Sequence, residues 1–188
     1  MKPDIPEQTR IVIIEGIAGS GKTTLWRSLG DYYQNREIFR FREQEILLGW
    51  KHIHIPNMST LRLEYLHRFL DYIESKLSES DTSLILIERF HLSLKLLEWE
   101  FPPDFTEQYN RLISRLKQLP VLILITKLSP DKIDERMHHR ERTAQWNLFV
   151  EEKLKLRGFE NLEALSVDQQ ANYFQLAEEQ GIPFAAVH

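Results

Sequence analysis

The 188-residue chain contains no cysteine, so disulfides and thiolate metal sites are excluded outright. It has no basic excess: 24 Lys and Arg stand against 28 Asp and Glu, for a net charge of −4. That argues against a nucleic acid polymer as the main partner, because binders of the phosphate backbone usually carry surplus positive charge. It has no long apolar run. The longest all-aliphatic stretch, VLILI at 121–125, is far too short to span a bilayer. The N-terminal MKPDIPEQTR lacks the apolar core of a signal peptide. These absences read as a soluble cytoplasmic protein with no membrane partner. No linker, repeat or low-complexity tract interrupts the chain, and its length suits one domain spanning residues 1–188. Glycine is scarce at seven residues, yet three of them fall within positions 16–21.

Short apolar runs are present instead. IVII at 11–14, LILI at 84–87 and VLILI at 121–125 are continuous rather than alternating, which suits strands buried on both faces of a parallel sheet. IFRFR at 38–42 and IPFAAV at 182–187 are weaker strand candidates. Helical patterns lie between them. Residues 22–34 follow the glycine cluster, and residues 58–77 carry a stripe of Leu66, Leu70, Ile73 and Leu77. Thr106 is placed to cap a helix whose inner side is Tyr109, Leu112, Ile113 and Leu116. Ser129, Pro130 and Asp131 read as a helix start. Ser166 to Gln169 has capping-box spacing for a last helix that Gly181 would stop. The order predicts an α/β fold, with a five-stranded, mostly parallel sheet and helices on both faces.

The glycine cluster carries the chemistry. Gly16-Ile17-Ala18-Gly19-Ser20-Gly21-Lys22-Thr23 matches the phosphate-binding loop G-x-x-x-x-G-K-[ST] in full, between a strand and a helix as that loop requires. The amides of Gly16, Gly19, Ser20 and Gly21 and the helix start at Thr24 would cradle nucleotide phosphates. Lys22 would reach the β- and γ-phosphates, and the Thr23 hydroxyl would bind Mg²⁺. A guanine reader is incomplete, because Thr126-Lys127-Leu128-Ser129 lacks the Asp it needs. ATP with Mg²⁺ is therefore the expected donor, and a small kinase the expected class. The second chemical strand end is Glu88-Arg89, after LILI. Glu88 is placed to hold Mg²⁺ and Arg89 to face an acceptor at the carboxyl edge of the sheet. The alternative is a surface Glu–Arg pair.

EGIAGSGKTT, then Arg42-Glu43, then Glu88-Arg89-Phe90-His91-Leu92-Ser93 resembles the thymidylate kinase and deoxynucleoside kinase group over residues 10–187. The resemblance implies a P-loop kinase fold and transfer of a phosphoryl group from ATP to a nucleoside or nucleoside monophosphate. It implies that Arg68 contacts the acceptor base or phosphate, that Tyr65 or Phe69 stacks, and that Arg42 and Arg89 address the acceptor. Glu43 would act as base on a nucleoside 5′-hydroxyl, a task a monophosphate acceptor does not need. Without the resemblance, those aromatics read as core and Arg68 as solvated. DKIDERMHHRER at 131–142, within a segment 131–147, resembles the family's lid, with Arg136, Arg140 and Arg142 closing on the transferring phosphoryl group. A solvated helix would show the same charges.

Three features depart from the family pattern. Arg42-Glu43 continues as Gln44-Glu45 rather than Pro-Gly-Gly. Ala18 stands where thymidylate kinases commonly place an acid. The adenine-side loop after the last strand is short or missing. A kinase of a sugar acid or antibiotic hydroxyl and a nucleotide-binding regulator without turnover remain as rivals. Trp50 is placed to line the acceptor pocket or to be core. His52 and His54, like His138 and His139, lack a third ligand for a metal. The helix at 58–77 would suit a homodimer interface or the core equally.

Overall fold

A computed structural model describes residues 3, 5–46, 57–97, 103–137 and 143–188. Its five strands are β1 Ile11–Gly16, β2 Ile38–Phe41, β3 Leu84–Glu88, β4 Val121–Thr126 and β5 Phe184–Val187. They form one sheet in the order β2-β3-β1-β4-β5, and every neighbouring pair is parallel. Seven helices are described: α1 Lys22–Tyr32, α2 Met58–Glu79, α3 His91–Leu97, α4 Phe105–Leu116, α5 Pro130–Met137, α6 Ala144–Arg157 and α7 Leu162–Gln180.

The unbroken apolar runs have a simple cause. In β1, Ile11 and Ile13 join one core with α2, α4 and α7, while Val12 and Ile14 join a second core with Leu29 of α1. Alternate side chains meet different helical layers, so every position must be apolar. The runs at 84–87 and 121–125 divide the same way.

Topology then places the chemistry. The chain leaves β1 for β2, returns to β3 beside β1, and crosses to β4 on the other side. A crevice therefore opens at the carboxyl ends around β1, where such sheets bind ligands. Register aligns those ends: Ile14 pairs with Glu88, and Gly16 pairs with Thr126.

Two helix starts differ from expectation. The fourth helix begins at Phe105, with Asp104 in the cap position, and Thr106 lies inside it. Phe105 is 1% exposed and stacks on Tyr109 at 5.5 Å, so apolar burial draws it into the first turn. The last helix begins at Leu162 behind Asn161, whose side chain accepts from Ala164 N at 2.8 Å. Ser166 is buried inside that helix and caps nothing. Gly181 ends it at φ 64, as expected. The segment expected as one lid contains two helices. Pro130 opens α5, and Thr143 caps α6 by accepting from Trp146 N at 3.2 Å.

Candidate functional site

β1 ends in the phosphate-loop sequence, and the loop's glycines are geometric necessities. Gly16 has φ 138, and a Cβ there would sit 2.7 Å from the Thr126 carbonyl oxygen of β4. Gly21, at φ 91, is the left-handed residue from which α1 starts. Ser20 fastens the loop to β4, its Oγ lying 2.8 Å from Ile17 O and 2.5 Å from Thr126 Oγ1.

Lys22, the first residue of α1, is 5% exposed, and its Nζ donates to Ile17 O at 2.7 Å. Burial, and next the nearby Arg89 guanidinium, push its pKa down to about 7. The next residue, Thr23, donates its hydroxyl hydrogen to Glu88 Oε1 at the end of β3. Glu88 Oε2 lies 3.5 Å from Arg42 Nε. Arg89 Nε meets Glu43 Oε2 at 2.5 Å as an ion pair. The structure thus brings Lys22, Thr23, Arg42, Glu43, Glu88 and Arg89 to one place from three separate segments.

Arg89 stands on a polar base that sequence reasoning missed. Its backbone is left-handed at φ 66, and Nη1 donates to Ser93 Oγ at 3.2 Å and to Tyr173 OH at 3.3 Å. Beneath lies Glu15, which is 0% exposed. Its Oε1 accepts from the amides of Phe90 at 2.8 Å and Ser93 at 3.2 Å, and its Oε2 accepts from Ser93 Oγ at 2.5 Å. Burial raises the Glu15 pKa against the pull of Ser93 and Arg89. Burial also works to lower the Arg89 pKa, but Tyr173 and the Glu43 and Glu15 carboxylates outweigh it, and the net shift is upward. One signal was available: Glu15 is a carboxylate at the end of an otherwise apolar strand. Ser93 lies one helical turn beyond Arg89. Tyr173 has no local motif to mark it.

Two cavities flank the loop. One, of about 280 Å³, touches Gly19, Lys22, Thr23, Glu43, Glu88 and Arg89, and α6 and α7 wall it with Trp146, Phe149, Lys153 and Tyr173. The other, of about 600 Å³, touches Ser20, Gly21, Thr24, Ser28, Arg136 and His188. Arg136 of α5 therefore lines a different cavity from Arg89. Arg140, Arg142, Trp50 and the four paired histidines lie outside the described residues.

The expected acceptor helix is only partly brought in. Phe69 is 7% exposed and packs edge-on against Phe41 at 4.7 Å, which makes it core. Tyr65 stacks on Phe69 at 6.2 Å and donates to Glu45 O at 2.9 Å. Arg68 is 87% exposed, lies 3.6 Å from Asp71, and lines a shallow groove with Gln108 rather than either cavity. The period of α2 turns it outward.

This loop, sheet order and strand-end carboxylate define a P-loop kinase fold. No family model matches the chain, and a search of curated proteins finds no match. Among solved structures, the chain is similar to thymidylate kinase from Candida albicans, at 13% identity and a TM-score of 0.61, over 95% of this chain and 83% of that one. Thymidylate kinase from Ehrlichia chaffeensis is similar at 14% identity and a TM-score of 0.55, over 95% and 86%. The fold is that of thymidylate kinases.

Among the described residues, no helix is long and apolar enough to cross a membrane.

Proposed function

We propose that the protein is a phosphotransferase that moves the γ-phosphoryl group of ATP, with Mg²⁺, onto a nucleoside or nucleoside monophosphate. The observation that carries this reading is the convergence of Lys22, Thr23–Glu88 and Arg89–Glu43 on one cavity beside the loop. A loop that only bound nucleotide would need no guanidinium–carboxylate pair on its far side.

The loop amides, Ser20 and Thr24 hold the donor phosphates, and the larger cavity beside Arg136 takes the donor base. Lys22 exchanges the Ile17 carbonyl for phosphate oxygens. Thr23 and Glu88 fit Mg²⁺, which is commonly held by a hydroxyl, one carboxylate and substrate phosphates. When bound, the ion would neutralise charge on the phosphates. Arg42 and Arg89 address the acceptor, and Glu43, held by Arg89, is placed to accept a hydroxyl proton. Arg136, with Arg140 and Arg142, serves the donor side and the lid. Most of the catalysis would be positioning and charge stabilisation.

The test is a transfer screen over nucleosides and their monophosphates with Mg²⁺ and ATP, reading ADP release and phosphorylated product. Acceptor-dependent product supports the reading. Tight ATP binding with no transfer to any member of the panel would sink it.

A further inference from the structure

Lys153 has no task in the proposed transfer, yet its surroundings are chemically unusual. This residue of α6 is 4% exposed and lines the cavity of about 280 Å³ beside the glycine loop. Lysines normally extend their ammonium to water. Here, among the described residues, Nζ meets no carboxylate and no hydrogen-bond acceptor; it lies 5.8 Å from the centroid of the Phe149 ring. Lys22, also buried in this wall, differs, because its Nζ donates to Ile17 O at 2.7 Å.

The charges around Lys153 either oppose an ammonium or are already engaged. Arg89 after β3 and Arg157 of α6 act on it as like charges, and Lys22 of α1 stands in the same cavity. Of the carboxylates, Glu43 is engaged by Arg89, and Glu88 by Thr23 and Arg42. Glu15 of β1 is held by Ser93 and the Phe90 amide. Tyr173 of α7 is a phenol whose pKa burial raises to about 12, so it brings no negative charge at neutral pH. Burial and like charge both favour a neutral amine. Burial first, then the two guanidiniums, lower the Lys153 pKa to about 7. At neutral pH the free-amine fraction is then roughly a thousandfold that of an ordinary lysine.

A free amine, sheltered from bulk water and set among cations short of negative charge, is a nucleophile suited to a small neutral electrophile whose adduct is an anion. We propose that Lys153 is a carbon dioxide-binding site, modified reversibly to a carbamate. The Nζ lone pair attacks the carbon of carbon dioxide. The new N–C bond forms as one C–O π pair moves onto oxygen, and Nζ releases a proton to water or buffer. No oxidant or reductant takes part. The adduct is an anion where a cation or neutral amine stood, so it supplies the counter-charge that Lys22 and Arg89 lack on this wall. Trp146 and Phe149 limit water there, and with it the reprotonation of nitrogen that reverses the addition. Carbamylation needs no phosphoryl transfer, so the site stands or falls apart from the phosphotransferase reading.

The experiment incubates the full-length protein with isotope-labelled bicarbonate at neutral to mildly alkaline pH. Carbamates are trapped as ethyl esters with a triethyloxonium salt and located by peptide mass spectrometry, while carbon NMR follows the untrapped sample. Lys153 is expected to carry the label at least about tenfold above any other lysine, in keeping with its larger free-amine fraction. The carbamate resonance should vanish on acidification. The chain's α-amino group also titrates near neutrality, and mapping separates it from Lys153. Lys153→Met and Lys153→Arg should both lose the resonance, because Arg keeps the positive charge but has no free amine. Bicarbonate should raise the wild-type Tm, since a ligand held only by the folded state stabilises it, and should leave both variants unmoved. Labelling of Lys153 no greater than that of surface lysines overturns the site. Equal stabilisation of Lys153→Arg also overturns it, by showing bicarbonate held as a free ion. Mapping is made on the wild type, so it decides even where neither variant folds.

Discussion

Arg89 is the residue on which the site turns. A left-handed backbone at a non-glycine residue costs roughly 1–3 kcal/mol, and here Glu15, Ser93 and Tyr173 hold it in place. The turn stops β3 and throws the guanidinium back over the strand end toward Glu43. Glu15→Gln keeps the side-chain shape but removes the charge beneath Arg89. On the proposed reading its transfer rate should fall at least tenfold while ATP affinity changes little, as steady-state kinetics beside calorimetry would show. Equal rates would mean that the buried carboxylate does not position Arg89. Lys22→Ala removes the only side-chain cation that the loop itself supplies. Turnover should drop about 100-fold or more, the scale of losing one charge-stabilising donor, with an unchanged melting profile. Unchanged turnover would remove Lys22 from the mechanism.

At the scale of elements, α2 and α7 do the holding. Ile73 of α2 is 0% exposed against the sheet, so Ile73→Ala should cost about 2–5 kcal/mol in denaturant unfolding. His91, the first residue of α3, has its Nε2 3.0 Å from Gln180 Oε1 of α7, and Gln180 Nε2 donates to Tyr109 OH of α4 at 2.9 Å. Burial lowers the His91 pKa from 6.5 to about 3. The folded state therefore binds the proton less readily than the unfolded one. Stability from this group is whole above pH 6.5 and is lost as pH falls from 6.5 towards 3. Thermal melts across that window should show a steeper loss for the wild type than for His91→Gln; parallel curves would exonerate the histidine.

The strands, the loop and helix α5 were legible in the sequence because their signals are local: buried runs, a glycine cluster, a serine–proline start. The start of α7 was not, since Ser166 and Asn161 both offer capping chemistry and only packing of the helix decides between them. Lys153 and Tyr173 were invisible for the same reason. Tyr173 meets Arg89 through a hydrogen bond and Lys153 shares its cavity, both from distant segments of the chain, and no spacing rule spans that.

At the scale of the whole molecule, the glycine loop stands between two cavities with different walls among the described residues. Arg136 belongs to the larger chamber and Arg89 to the smaller. Arg136→Ala should therefore raise the KM for ATP several-fold and leave acceptor KM within about twofold. The reverse pattern would exchange the chambers' roles. The smaller chamber also has an unplanned property. Its wall includes Trp146, whereas Trp26 sits against the other face of the sheet with its indole nitrogen donating to Leu86 O at 3.3 Å. An indole in the wall of a cavity changes its emission when water leaves. Filling the smaller cavity should thus announce itself as light from this protein's own tryptophan, without a dye or a coupled assay.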